Sequence, residues 1–238
     1  MKVLIVSPSL STDNNVSGIS AVTNFIIRNN TKVEYVHFLQ GKNDDEHSSL
    51  ARIMRIIRNY KKWKSSLNFN ADAIIHYNFP LDGFSVIRDY FFMNYVRKSH
   101  KQMVIHIHGG LYLFKEKKPI HISILLKMIF SWNFPFIVLS NKECEQIKKV
   151  YHCKNVYVLP NCIDLRTAST FQRSKFPNRL HILYLGRIES NKGIDYIYHA
   201  IKILNNQGFD FVHRLCGVAI ELHTVLDFQK GEVRLCRF

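Results

Sequence analysis

From its first residues the chain repeats one pattern: a short apolar run, a polar loop, then a stretch with helical spacing. Val3–Val6 reads as a strand, and after the loop "SPSLSTDNNVSG" the segment "ISAVTNFIIRN" has helical spacing. Val33–Leu39, "ADAIIHYN", "QMVIHIHGG", "PFIVLS" and "NVYVLPN" read as further strands. "IHISILLKMIFSW" and "NKECEQIKKVY" read as helices between them. In "SSLARIMRIIRNYKKWKSSL" the spacing predicts a helix with Ile53, Ile56, Ile57, Tyr60 and Leu67 on one apolar face. Strand and helix in alternation predict an α/β fold, a doubly wound parallel sheet with helices on both faces.

The alternation breaks at "LRTASTFQRSKFPNR", which is polar, carries a proline and has no period. We read an N-terminal Rossmann-like domain over residues 1–165, a linker over 166–179 and a partial second Rossmann-like domain over 180–238. The pattern restarts at "LHILYLG", but about 60 residues are few for an independent core.

Composition narrows the setting. The 238 residues include five cysteines, an odd number without regular spacing, which argues against a disulfide framework and fits a reducing cytoplasm. No run approaches the roughly 18 apolar residues of a membrane span. Thirty-three Lys and Arg against 18 Asp and Glu give a net charge of +15, a field that favours anionic partners: nucleic acid, anionic lipid or phosphorylated metabolites. No helix-turn-helix, zinc or RNA-binding signature accompanies the charge, so nucleic acid is the least supported of the three.

Ligands of open parallel sheets sit beyond the carboxyl ends of the strands. Ser17 and Gly18 stand at the first loop-to-helix junction, where bare backbone N–H groups can meet an anion; a plain turn glycine fits the same spacing. His106 and His108, with Gly109 and Gly110, end another strand. We read the two histidines as pointing to opposite faces, so that a shared zinc is not expected and one of them can face a ligand; a packed or solvated histidine is the equal alternative. Arg187 and Lys192 flank the turn after "ILYLG". Arg as a fork and Lys as a point charge can both neutralise a diphosphate, and they would stabilise charge growing on it as a leaving group. They would do so without a metal, for which no Asp-x-Asp stands at a strand end. Two solvated basic residues on a loop is the competing reading.

Taken together, these segments resemble the family 4 retaining glycosyltransferases, which use nucleotide sugars and have the two-domain GT-B fold. "LYLGRIESNKGIDYIYHAI" is similar to the family's GR…KG element, and "VYVLPNCID" to its preceding PN-x-(I/V)-D element, with Cys162 where glycine is usual. "SGIS" resembles its glycine loop after the first strand, "VIHIHGG" the strand that brings a histidine to the donor sugar, and "FIVLS" also fits. The resemblance implies that Arg187, Lys192 and Gly18 bind the donor diphosphate and that His108 is the catalytic-site histidine at the sugar. It adds Ser17, Gly109, Ser140 and Asn161 as cleft residues. The donor would bind mainly to the second domain and a glycan or lipid-linked acceptor to the first, with no metal or other cofactor.

The resemblance fades after Gly217, and the family's Glu-x7-Glu element has no match in the tail "DFQKGEVRLCRF". The expectation is a truncated member, weakly active or inactive, in cell-surface polysaccharide synthesis. An inactive binding or regulatory module is the alternative. Arg52 to Lys64 carries six basic residues and no acid, a basic amphipathic helix suited to an anionic membrane surface or simply to a solvated helix face. The expected location is the cytoplasm, peripheral on the inner face of the cell membrane.

Overall fold

The structure, a computed structural model, describes residues 1–11, 17–41, 49–161, 180–186, 192–216 and 233–236. The chain divides into two compact units, Met1–Arg166 and Thr167–Phe238. The segment read as a linker, 166–179, lies outside the described residues.

Among its described residues unit 1 is built on six strands: β1 (Lys2–Ser7), β2 (Glu34–Leu39), β3 (Ile74–Pro80), β4 (Met103–His108), β5 (Phe136–Val138) and β6 (Val156–Val158). All pair in parallel, in the order β2-β1-β3-β4-β5-β6. Between them run α1 (Gly18–Asn29), α2 (Ser49–Phe69), α3 (Gly83–Lys98), α4 (Leu111–Phe114), α5 (Ile120–Phe130) and α6 (Asn141–Tyr151).

Strand side chains alternate between faces. Leu4, Val6, Ile75, Tyr77, Phe79, Ile105, Ile107, Phe136 and Val138 form the apolar face, all buried. Against it pack Trp63 and Leu67 of α2, Phe92 and Val96 of α3, Leu126 and Ile129 of α5 and Ile147 of α6. The opposite face carries Ile5, Ser7, His76, Asn78, His106 and His108, and α1 reaches it through Thr23. Helices thus cover both faces, as the alternation predicts.

Two details of the sequence reading need correction. Of the apolar face predicted for α2, only one edge meets the core. The core takes the row Ile56, Tyr60, Trp63 and Leu67, while Ile53 and Ile57 are 49% and 52% exposed, beside Met54 at 55%. Helix α3 is absent from the sequence reading. It packs against both α2 and α5, so its apolar residues do not gather on one stripe, and the period that announces a surface helix is missing. Asp82 caps its N-terminus by accepting from the Ser85 N–H at 3.1 Å. Within it, Arg88 grips the Asp89 carboxylate through two bonds of 2.7 and 2.8 Å, and the Tyr77 hydroxyl donates to the same carboxylate at 2.9 Å. That network satisfies a charge buried in the core.

Among its described residues unit 2 has three parallel strands, β7 (Leu180–Leu185), β8 (Phe211–Cys216) and β9 (Val233–Cys236), in that order, with α7 (Ile194–Asn206) between the first two. Ile194 and Ile201 of α7 pack with Phe211 and Leu215 of β8, and Ile182 and Tyr184 of β7 join them. The alternate residues Leu183 and Leu185 are 62% and 70% exposed. The tail, which matches nothing in the family pattern, supplies β9.

Candidate functional site

The carboxyl ends of β1, β3, β4 and β5 bring a set of polar groups to one edge of unit 1. At β1, Ser17 is the N-cap of α1: its hydroxyl accepts from the Ser20 N–H at 3.2 Å. Gly18 follows as the first helical residue. A Cβ there would meet nothing within 4 Å, so the fold itself does not demand glycine; its effect is to leave the helix N-terminus bare. Asn24 donates to the Leu10 carbonyl at 2.9 Å and so ties the preceding loop to the helix.

At β3 and β4 the histidines overturn the sequence expectation. Residues two apart on a strand share a face, and the rings of His106 and His108 lie on the same side with centroids 4.1 Å apart. His76 on β3 stacks on His106 at 5.4 Å, its Nε2 lying 3.2 Å from His106 Nδ1. Among the described residues no group of three His, Cys, Asp or Glu is placed to hold a metal ion.

Asn78 orients His108. The Asn78 amide nitrogen donates to the Val6 carbonyl at 2.9 Å and to Thr23 Oγ1 at 3.3 Å, which makes Oδ1 its acceptor end. Oδ1 lies 2.7 Å from His108 Nε2, so that nitrogen carries the proton and Nδ1 keeps its lone pair. Burial, with the neighbouring His106 and His76, pulls the His108 pKa down to about 3. Burial also lowers His76, helped by His106, to about 3, and His106 to about 4. His108 at neutral pH is therefore a neutral, fixed acceptor and not a cation. Gly109 then turns the chain away at φ +91°, a conformation that favours glycine.

At β5, Ser140 is the N-cap of α6. Its hydroxyl accepts from the Glu143 N–H at 3.3 Å and donates to Glu143 Oε2 at 3.0 Å, a reciprocal cap that occupies Ser140 with structure. A cavity of about 620 Å³ opens here, lined by Gly110, Phe114, Lys115, Ser140, Lys142 and Glu143.

The remaining predicted residues lie elsewhere. Asn161 is exposed at the end of the described part of unit 1. Lys192 is exposed in unit 2, next to Gly193, which caps α7 at φ +76°. Arg187 lies outside the described residues. The structure thus gathers Ser17, Gly18, His108, Gly109 and Ser140 at the strand ends of unit 1. Sequence reasoning missed His76, Asn78 and Glu143. Only Glu143 carried a signal, the S-x-x-E spacing of a capping box.

No protein-family model matches the sequence, and no curated protein matches it. Among solved structures, the chain is similar to the catalytic domain of starch synthase IV from Arabidopsis thaliana, bound to ADP and acarbose. The TM-score is 0.58 at 12% identity, over 100% of this chain and 74% of the other. The fold is GT-B. At 12% identity the likeness speaks for the fold alone.

Proposed function

We propose that this chain binds a nucleotide-diphosphate sugar and transfers the sugar to a glycan or lipid-linked acceptor with retention of configuration, as a relative of the family 4 glycosyltransferases. The observation that carries the proposal is the neutral, oriented His108 at the carboxyl end of β4 of a GT-B fold, on the sheet face that α1, opening at Gly18, reaches through Thr23. The similar starch synthase domain was solved with ADP and acarbose, a nucleotide diphosphate and a saccharide, which supports the same pair of ligands here.

In this reading the diphosphate meets the N–H groups at Gly18 and the cations Arg187 and Lys192. The bond from the anomeric carbon to the phosphate oxygen breaks, the acceptor oxygen bonds to that carbon, and the acceptor proton leaves with the diphosphate. Negative charge grows on the leaving oxygen, so fixed cations and helix N–H groups stabilise the transition state more than the ground state. His108 Nδ1, unprotonated, accepts a hydrogen bond from a sugar hydroxyl and holds the ring in place. The charge bookkeeping closes with no metal.

Exposed Leu183 and Leu185 favour a second reading, a binding or regulatory module whose unit 2 sheet is covered by a partner. Calorimetric titration with nucleoside diphosphates and the matching nucleotide sugars separates the two. The glycosyltransferase reading expects a nucleotide sugar to bind more tightly than its bare diphosphate, with His108→Ala removing that preference, about three- to tenfold for one hydrogen bond. Equal affinity in the wild type, or no binding of either, contradicts it.

A further inference from the structure

The cavity at the ends of β4 and β5 is not used by the donor chemistry above. Its volume, about 620 Å³, falls in the range of small-molecule sites, roughly 300–1,000 Å³. Three features define what fits it.

First, Glu143 is buried and half committed. Its Oε2 accepts from the Leu139 N–H at 3.0 Å and from the Ser140 hydroxyl at 3.0 Å. Among the described residues no hydrogen bond is made by Oε1. The carboxylate is thus locked in position with one oxygen left to accept.

Second, Phe114 is 51% exposed and stands over the same spot. A Cβ on Gly110 would come within 2.9 Å of the Phe114 ring and 3.2 Å of Glu143 Oε1. Glycine at 110 therefore lets an aromatic face and a carboxylate oxygen converge on one point of backbone. The platform is braced, because the Gln146 amide on α6 donates to the Leu113 carbonyl on α4 at 2.9 Å.

Third, Lys115 and Lys142 stand on the wall of the cavity, both exposed. Two ammonium groups disfavour a cationic ligand, and the Glu143 carboxylate in the same lining disfavours a small bare anion. An apolar ligand would leave the carboxylate without a partner at a cost of about 1–3 kcal/mol.

A neutral polyhydroxyl ring satisfies all three. We propose that this cavity is a saccharide subsite, in which Phe114 packs on the C–H face of a pyranose, Glu143 Oε1 accepts from one of its hydroxyls, and Lys115 and Lys142 donate to others. Glu143 and Phe114 are then specificity-determining residues for the acceptor. The subsite rests on the reading of the chain as a glycosyltransferase with a glycan acceptor, and it names that acceptor's class.

The test is ligand-observed NMR of the full 238-residue chain with methyl pyranosides and short oligosaccharides, run beside a nucleoside diphosphate titration. The expected result is saccharide binding that weakens at least tenfold in Phe114→Ala and in Glu143→Gln and returns in Phe114→Tyr, with diphosphate affinity unchanged throughout. Phe114→Ala removes a half-exposed ring, so it keeps the test valid where Glu143→Gln loosens the cap of α6. Saccharide binding untouched by both substitutions overturns the subsite, as does an absence of binding by any saccharide in the panel. Saccharide binding that depends on Phe114 without any diphosphate binding upholds the subsite and sinks the glycosyltransferase reading.

Discussion

Three histidines share one face of β3 and β4, and burial keeps all of them neutral, with pKa values of about 3 for His76, 4 for His106 and 3 for His108. In the unfolded chain each returns to about 6.5. The folded values are the lower ones, so between pH 6.5 and 3 the unfolded state binds more protons, and stability falls as pH falls. Each group contributes up to about 1.4 kcal/mol per pH unit. Urea midpoints measured at pH 7.5, 6 and 5 are therefore expected to drop steadily. Replacing His76 and His106 by Gln should flatten the decline, and a flat wild-type profile would contradict the burial of this cluster. The same residues show what the sequence makes legible. His108 stands out because it precedes two glycines at a strand end, and Gly18 because it opens a helix. Asn78 gives no such sign: its role depends on Val6 and Thr23, more than fifty residues away in the chain, which only the folded sheet brings to it.

At the scale of elements, strands and amphipathic helices were readable wherever one face meets the core and the other meets water. Helices α1 and α6 follow that rule, while α3, packed between neighbours, does not, and α5 carries Ile120, Ile124 and Met128 on its exposed side. The exposed row of α2 is the informative exception. Ile53, Met54 and Ile57 stand outside the core next to Arg58, Lys61 and Lys62, all exposed. Arg55 is not part of this free basic face, since its guanidinium donates to the Gly41 carbonyl at 2.6 Å. Apolar residues ringed by basic ones fit an anionic lipid surface, and among the described residues no helix is long and apolar enough to cross a membrane. We propose that α2 docks the chain peripherally on such a surface. Replacing Arg58, Lys61 and Lys62 by Gln removes about 3 kcal/mol at roughly 1 kcal/mol per residue. In a flotation assay with phosphatidylserine vesicles, binding should fall at least tenfold, and Ile57→Ser should weaken it further. Binding that is unchanged, or equal on neutral phosphatidylcholine vesicles, rejects the docking face.

For the whole molecule, the parallel α/β plan follows from the alternation of apolar runs and helical stretches, and the GT-B match extends it over the full chain. Unit 2 was less legible. Its β9 comes from a tail with no family pattern, and among the described residues its buried apolar cluster holds two residues of α7, Ile194 and Ile201, and two of β8, Phe211 and Leu215, against thirty in the cluster of unit 1. The high positive charge, +15, fits the proposed function, in which a donor diphosphate and an anionic surface would both draw on it. The central claim is that the GT-B frame holds a nucleotide diphosphate through cations and helix N–H groups. Calorimetry of the chain with ADP and UDP in the presence of EDTA tests it most directly, comparing wild type with Lys192→Ala and Arg187→Ala. The account predicts metal-independent binding that weakens about tenfold or more in each variant, as expected for loss of a charge-assisted contact to phosphate. Binding of neither nucleotide, or binding that both variants retain in full, would contradict it.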